Sequence, residues 1–556
     1  MTPPPAPAWD YIVVGSGAGG GTVAARLAQG GARVLVLEAG GDPRDLGPRM
    51  PDDYDVPAFH PFASENPAIS WNFFVNHHAD AAQAARDPKC GPHGVLYPRA
   101  GALGGCTAHN AMIFLKPHAC DWNDLAALTG DRSWRAARME RFFRRVEDCR
   151  HRPGWRLLSR LGLDPTGHGW RGWLATEKAL PMQALDDDDL LWLVLGAVHG
   201  ELAGSARPLR SLEQLLEGRA DPNDRRFAGR EGLFYTPLST RGHHRVGARE
   251  RLLDVAARFP GRLTLELDAL AVRVRLDGAN RAVGVDYLKG RGLYRASGRP
   301  GAGPGEARFV EAGREVILAG GAFNTPQLLM LSGIGDAATL AAHGIPARVD
   351  LPGVGRNLQD RYEVGVVNRM SRNWRVLAGA RFEAGDPLLR QWRTGCGMYV
   401  SNGAAVGLAR RSAAAKRAPD LFLMALLARF EGYFPGYSKQ IAEEHDYLTW
   451  AVLKAHTLNR AGVVTLKSAD PRDPPKIDFG YFDPTDDPKA EDLKAVVGAV
   501  RLARAMTRRL KDRGCVAAEV VPGPEVESDA DLMAFVRDNA WGHHACGTAA
   551  IGPRDA

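Results

Sequence analysis

After a proline-rich start the chain enters a continuous apolar run, Tyr11-Ile12-Val13-Val14, whose β-branched residues predict a buried strand. Six small residues follow, Gly15-Ser16-Gly17-Ala18-Gly19-Gly20, and apolar positions then recur at Val23, Leu27 and Ala28 with the spacing of one helix face. A second apolar stretch, residues 33–37, ends on Glu38, so the first forty residues read strand, glycine turn, helix, strand. Further strands are predicted over residues 263–267, 283–287 and 316–319, and a helix opens at residues 245–249. Residues 449–453 and 462–466 read as antiparallel strands, and the Gly/Pro-rich residues 297–305 as a surface loop. Residues 132–160 interleave arginines with Trp134, Met139, Phe142, Phe143 and Val146, as a helix with a solvated face does. The apolar run 190–198 is too short to span a bilayer and predicts a buried helix, with the acidic residues 186–189 suited to its N-terminus.

With 556 residues, 45% hydrophobic and 24% charged, the chain is too long for one core and too apolar for disorder, so several domains are expected. The 71 Lys and Arg exceed the 64 Asp and Glu by only seven, with no extended basic stripe, which argues against nucleic acid as a partner. Seven cysteines without a C-x-x-C pair indicate neither a disulfide framework nor a zinc knuckle. Reduced thiols and a cytoplasmic setting are expected, with no transmembrane segment and no basic leader before the first strand.

The glycine turn has the chemistry of a dinucleotide site. Gly15 permits the tight turn, Gly17 lets backbone approach a pyrophosphate, and Gly20 allows close packing of helix on strand. Glu38 sits where a carboxylate accepts both ribose hydroxyls of an adenosine. NAD and FAD remain equally open on this fingerprint.

Two further segments choose between them. Gly101-Ala102-Leu103-Gly104-Gly105-Cys106-Thr107-Ala108-His109-Asn110-Ala111-Met112 resembles the first signature of the glucose-methanol-choline oxidoreductases. Gly321-Ala322-Phe323-Asn324-Thr325-Pro326-Gln327-Leu328-Leu329, with Ser332-Gly333-Ile334-Gly335, resembles the second. Asn357-Leu358-Gln359-Asp360 and His544-Ala545-Cys546-Gly547-Thr548 extend the resemblance over nearly the whole chain in the family's order. It implies FAD, held by Gly15, Gly17, Gly20, Glu38, Gly104, Gly105, His109, Asn110, Ala111, Met112, Ala271, Gly320, Thr325 and Pro326. It also implies an α/β FAD-binding domain of Rossmann type beside an α+β substrate domain built on an antiparallel sheet. Independently, Thr325-Pro326 has the form of a helix start, a hydroxyl N-cap followed by proline, after a strand ending at Gly320-Gly321.

Departures from the family pattern are Ala102 for a basic or amide residue, Cys106 for serine and Arg361 for histidine. His109 matches the choline-oxidase-like members, which implies a covalent bond from its imidazole to the flavin; a dissociable FAD is the alternative. The resemblance assigns flavin-binding parts to residues 1–150, 236–360 and 491–556, inserted substrate-domain material to 151–235, and the substrate domain to 361–490.

Imidazole titrates nearest neutrality, and His544 matches the family's catalytic histidine, so it is the expected base for an alcohol's proton, with His543 as a neighbour. The carbon-bound hydrogen would pass as hydride to the flavin, and electrons onward to O2 or a redox carrier. Met112, Phe114, Met398, Tyr399, Asn402, Phe422, Met424, Phe430, Tyr433 and Phe434 are candidates to face the substrate and favour a small apolar alcohol. His77-His78 and His243-His244 lack a third ligand at metal spacing, so no metal is expected, and no nucleophile elbow appears. A lyase or photodecarboxylase on the same scaffold and an inactive flavoprotein are the competing functions. The latter is motivated by the sequence ending at Ala556, before the family's second catalytic residue and closing strand; an incomplete or frameshifted sequence is the expected reason.

Overall fold

The computed structural model describes residues 8–179, 187, 188, 190, 192, 193, 221–415 and 417–552. The helix expected over 190–198, with its acidic cluster at 186–189, falls largely outside them.

Two six-stranded sheets organise these residues. In the first, Trp9–Val14 is flanked in parallel by Val34–Leu37 and Glu306–Leu318, and Leu263–Glu266 lies parallel beyond Val34–Leu37. Glu306–Leu318 runs past the parallel part and pairs antiparallel with Ala282–Lys289, which pairs antiparallel with Ala269–Leu276. The strand expected at 316–319 is thus the end of a longer one. The apolar face of Ala18–Gln29 packs Ala24 and Ala28 with Leu252 and Val255 of Ala248–Arg258, over Val13 and Val36 of the sheet. Gly20 lies in that contact, where a Cβ would stand 2.0 Å from the Gly15 carbonyl oxygen and 2.9 Å from Ala319 Cβ. This is the close packing that its place in the fingerprint predicts.

The second sheet is antiparallel throughout, in the order Val516–Val521, Tyr362–Met370, Tyr447–Lys454, Leu421–Leu426, Ala404–Arg410, Gly232–Phe234. Every residue of Tyr447–Lys454 is buried, as a strand covered on both faces must be. One cover is the helix Glu491–Asp512, whose Leu493, Val496, Val500, Ala503 and Leu510 form a buried stripe at helical spacing. That helix and Val516–Val521 come from the stretch assigned above to the flavin-binding part, yet they complete the antiparallel sheet.

Local expectations are corrected at two places. The helix placed at Thr325-Pro326 runs from Gly321 to Leu331, so Pro326 lies inside it and Thr325 is not its N-cap. Residues 132–160 hold two helices, Ala136–Val146 and Pro153–Ser159, separated by the buried strand Glu147–Cys149. The strand expected over 263–267 is Leu263–Glu266, and Ala269–Leu276 follows it in the same sheet after Asp268, whose φ of +49° breaks the extended run. Among the described residues no helix is long and apolar enough to cross a membrane.

Candidate active site

The ends of the parallel strands open into a cleft of about 340 Å³. Of the predicted cofactor residues, Gly15, Gly17, Glu38, Gly105, Ala271, Gly320 and Thr325 line it. The two glycine signatures meet there: Gly105, at φ +52°, approaches so closely that a Cβ on it would stand 2.7 Å from Gly17 Cα. Gly17 itself has only Gly105 Cα near its own Cβ position, at 3.9 Å, which leaves backbone open to a phosphate. Glu38 is buried, which pushes its carboxyl up; one oxygen accepts from the Ser16 amide and hydroxyl, the other from the Gly40 amide. Side chains are thus absent where a dinucleotide needs backbone, and a fixed carboxylate ends the second strand, where the fingerprint expects a ribose-binding acid. The residues fit FAD.

The remaining predicted residues lie around the cleft rather than on its lining. Gly20 and Pro326 serve packing, and Gly104 makes the left-handed turn before the second glycine, at φ +100°. Asn110 receives Arg245 Nη1 at 2.8 Å, and the Ala111 carbonyl receives Asn402 Nδ2 at 2.8 Å. Met112 packs with Ala179 and Leu238 in a small core. His109 is buried with Nε2 unpartnered; burial, with the charges of Arg99 and Arg245, lowers it to about 3, so the ring is neutral at pH 7.

The catalytic candidate His544 is held by its backbone. Gln359 and Cys546 exchange two amide–carbonyl bonds, as do Glu363 and Trp541, so the 541–546 loop runs antiparallel to residues 359–363. Between the two bridges the buried Asp360 carboxylate accepts the His544 amide at 2.8 Å, the Arg361 amide at 2.8 Å and the Tyr97 hydroxyl at 2.6 Å. Burial raises Asp360 to about 6, against the opposing effect of the Tyr97 bond. His544 Nδ1 stands 2.8 Å from Glu363 Oε1, off the line of a good hydrogen bond, and His543 Nδ1 stands 3.6 Å from Glu363 Oε2. Withdrawal from water, then the charges of Arg361 and Arg99, lower His544 well below the usual imidazole range, although 36% of its side chain faces open space. It is neutral at pH 7.

The last motif also closes a gap left by the second. Pro326 has no N–H to give the Ala322 carbonyl four residues earlier. The Thr548 hydroxyl donates to that oxygen instead, at 2.6 Å.

Behind the histidines lies a second cavity of about 140 Å³. Six of the ten candidate substrate residues line it, namely Met398, Tyr399, Asn402, Met424, Phe430 and Tyr433, together with His543 and Glu363. Among the other four, Phe422 stacks on Phe234 and Phe114 lies near Phe143. His77 and His78 are buried, and His77 pairs with Asp87 at 3.1 Å.

Comparison with known proteins decides the family. Two models described as GMC oxidoreductase match the chain, one over residues 9–363 and one over residues 458–556. The chain belongs to the GMC oxidoreductase family. As a GMC oxidoreductase it is an FAD-dependent alcohol oxidoreductase. An oxygen-dependent choline dehydrogenase from Brucella anthropi is 28% identical over 559 residues, covering 98% of this chain and 86% of the relative. Its fold resembles pyridoxine 4-oxidase from Mesorbium loti, with a TM-score of 0.72, 21% identity and coverage of 98% and 90%. It also resembles formate oxidase from Aspergillus oryzae, with a TM-score of 0.75, 20% identity and coverage of 98% and 89%.

Within this GMC site, Tyr97, Arg99, Asp360, Glu363 and Thr548 hold the geometry without having been assigned roles from the sequence. Asp360 and Thr548 stood inside quoted motifs, whereas Glu363 carried no spacing signal. Arg99 lines the flavin cleft and donates to the His543 carbonyl at 3.0 Å, so it reaches from cofactor to histidine loop. Replacing Thr548 with Val leaves the Ala322 carbonyl without either donor and is expected to cost about 1–3 kcal/mol. Urea unfolding of the holoenzyme measures it, with Thr548→Ser retaining most of the wild-type stability.

Proposed function

We propose that His544 takes the hydroxyl proton of a small, largely apolar alcohol seated in the aromatic cavity, leaving an aldehyde or ketone. FAD, held by the glycine turns and Glu38, supplies the hydride acceptor. The observation that carries this reading is the position of His544 between neighbours that face different spaces: His543 lines the cavity and Ala545 the cleft. Its neutral ring can accept a proton, and the nearby Glu363 carboxylate favours the imidazolium that results. Arg99 sets positive charge at the cleft, where negative charge gathers during reduction. Molecular oxygen is the proposed acceptor of the electrons, in keeping with the name of the oxygen-dependent choline dehydrogenase relative. Choline is the second reading of the substrate, favoured by the Glu363 carboxylate in the cavity wall.

Anaerobic mixing with an uncharged aryl alcohol and, separately, with choline tests the assignment. The uncharged alcohol should bleach the flavin faster, and His544→Ala should keep its flavin while losing roughly 10²- to 10⁴-fold in reduction rate. Unimpaired reduction in that variant rejects His544 as the base. Because the base works in its neutral form and its pKa is lowered, kcat/KM should be level through neutral pH and fall only in acid. A midpoint above the ordinary imidazole value of 6.5 contradicts it.

His109 is proposed to bond covalently to the flavin; its buried, neutral, unpartnered nitrogen supports this reading. Acid precipitation should leave the yellow colour in the pellet for the wild type and release it for His109→Ala. Colour wholly in the wild-type supernatant rejects the bond.

A further inference from the structure

Away from the cleft and the aromatic cavity, one buried cluster brings a thiol, two imidazoles and a carboxylate together. Cys149 ends the strand Glu147–Cys149, His151 follows two residues later, His168 comes from the next loop and Asp221 from a distant part of the chain. Cys149 and His168 are 0% exposed, Asp221 1%, and the His151 side chain 1%. Each imidazole has its Nδ1 engaged by an acceptor: Glu147 Oε1 at 2.8 Å for His168, and the Thr176 carbonyl at 3.2 Å for His151. The two Nε2 atoms then converge on one oxygen, Asp221 Oδ2, at 3.1 Å and 3.0 Å, which also accepts the Tyr235 hydroxyl at 2.8 Å. Cys149 Sγ lies 3.7 Å from both ring nitrogens of His151, and one ligand atom from each of Cys149, His151 and His168 falls within 4.8 Å of the others.

A metal-binding histidine characteristically donates its free ring N–H to a carboxylate or backbone carbonyl, which fixes the tautomer that offers the other nitrogen. Both histidines have Nδ1 held in that way, while each Nε2 now donates to Asp221 and would exchange that proton for the ion. With Zn–N and Zn–O near 2.0–2.1 Å and Zn–S near 2.3 Å, tetrahedral geometry sets neighbouring N and O ligands about 3.3 Å apart and S and N about 3.6 Å apart. The spacings of 3.0, 3.1 and 3.7 Å lie within a few tenths of an ångström of those edges.

We propose that Cys149, His151 and His168, whose ligand atoms lie within 4.8 Å of one another, bind one zinc ion, with Asp221 moving toward the sulfur as the fourth ligand. Lys116 already faces Glu147 at 3.0 Å and Arg152 faces Asp221 at 3.6 Å, so the carboxylates are balanced and the thiolate formed on binding adds the charge that the ion meets. The thiol proton and the two Nε2 protons, which without the ion are donated to Asp221, are released to solvent as the bonds to zinc form. Asp221 also lines a cleft of about 450 Å³, which offers an entry path. The ion would fasten the strand Glu147–Cys149, the strand Leu174–Lys178 through Thr176, and the chain at Asp221 into one unit. No sequence spacing reveals this set, because its four members come from three separate stretches; the sequence-based expectation of no metal rested on the lack of a C-x-x-C pair and of a third ligand near the adjacent histidines.

The test uses the full-length flavin-loaded protein. After growth with added zinc and dialysis against a weak chelator, elemental analysis should find about one zinc per chain. Exchange with cobalt(II) should give a thiolate-to-cobalt charge-transfer band and tetrahedral ligand-field bands, the former lost in Cys149→Ser. Glu147→Gln, which removes the carboxylate that supports His168 and faces Lys116, should weaken zinc binding roughly 10- to 100-fold while leaving the flavin spectrum unchanged. Wild-type protein that holds no zinc, and in which cobalt keeps its aqueous spectrum, overturns the proposal whether or not the variants fold. Zinc held equally well by Cys149→Ser and His168→Ala also overturns it.

Discussion

The Asp360 carboxylate is the contact on which the active-site geometry rests. One buried acid receives the amide of His544, the amide of Arg361 and the hydroxyl of Tyr97. It therefore ties the strand Val95–Ala100, which lies beside the flavin cleft, to the loop that carries the histidines. Burying a carboxylate is costly unless donors surround it, and its rise to about 6 records that cost. The same donors make the arrangement specific. The Tyr97 oxygen also accepts the Ala545 amide at 2.9 Å, so two successive amides of an irregular loop are satisfied by one acid–phenol pair.

The other motifs are joined by the same kind of mutual completion. The helix Gly321–Leu331 contains a proline that removes a donor, and the threonine after the histidines replaces it. The two glycine signatures press backbone on backbone at Gly17 and Gly105, where any side chain would force them apart. Segments separated by hundreds of residues thus depend on one another locally, and this accounts for their presence together in one sequence. The position of His544, the proposed base, follows from backbone contacts more than from contacts of the imidazole itself.

Much of this was legible from residue order. The parallel strands, the glycine turn and the acid at the end of the second strand follow from periodicity and small side chains, and the aromatic lining of the cavity was half visible in composition. Failures have physical causes. Thr325-Pro326 has the chemistry of a helix start, but the helix begins earlier because Thr548 supplies the bond that an interior proline forfeits. Residues 132–160 look like one amphipathic helix, yet the acids at 147 and 148 are buried among basic partners, which stabilises a strand there. Glu363, and the cluster around Cys149, depend on pairing between distant strands and leave no local pattern.

The most direct measurement of the account is the rate of anaerobic flavin reduction by substrate in Asp360→Asn. An amide leaves one oxygen for four donors, the His544 and Arg361 amides and the Tyr97 and Tyr481 hydroxyls, and presents hydrogens of its own, so the histidine loop shifts while the glycine turns proposed to hold FAD are untouched. The account predicts wild-type flavin content with a reduction rate lower by about a hundredfold, the cost of a displacement near 1 Å. Reduction at the wild-type rate would contradict it.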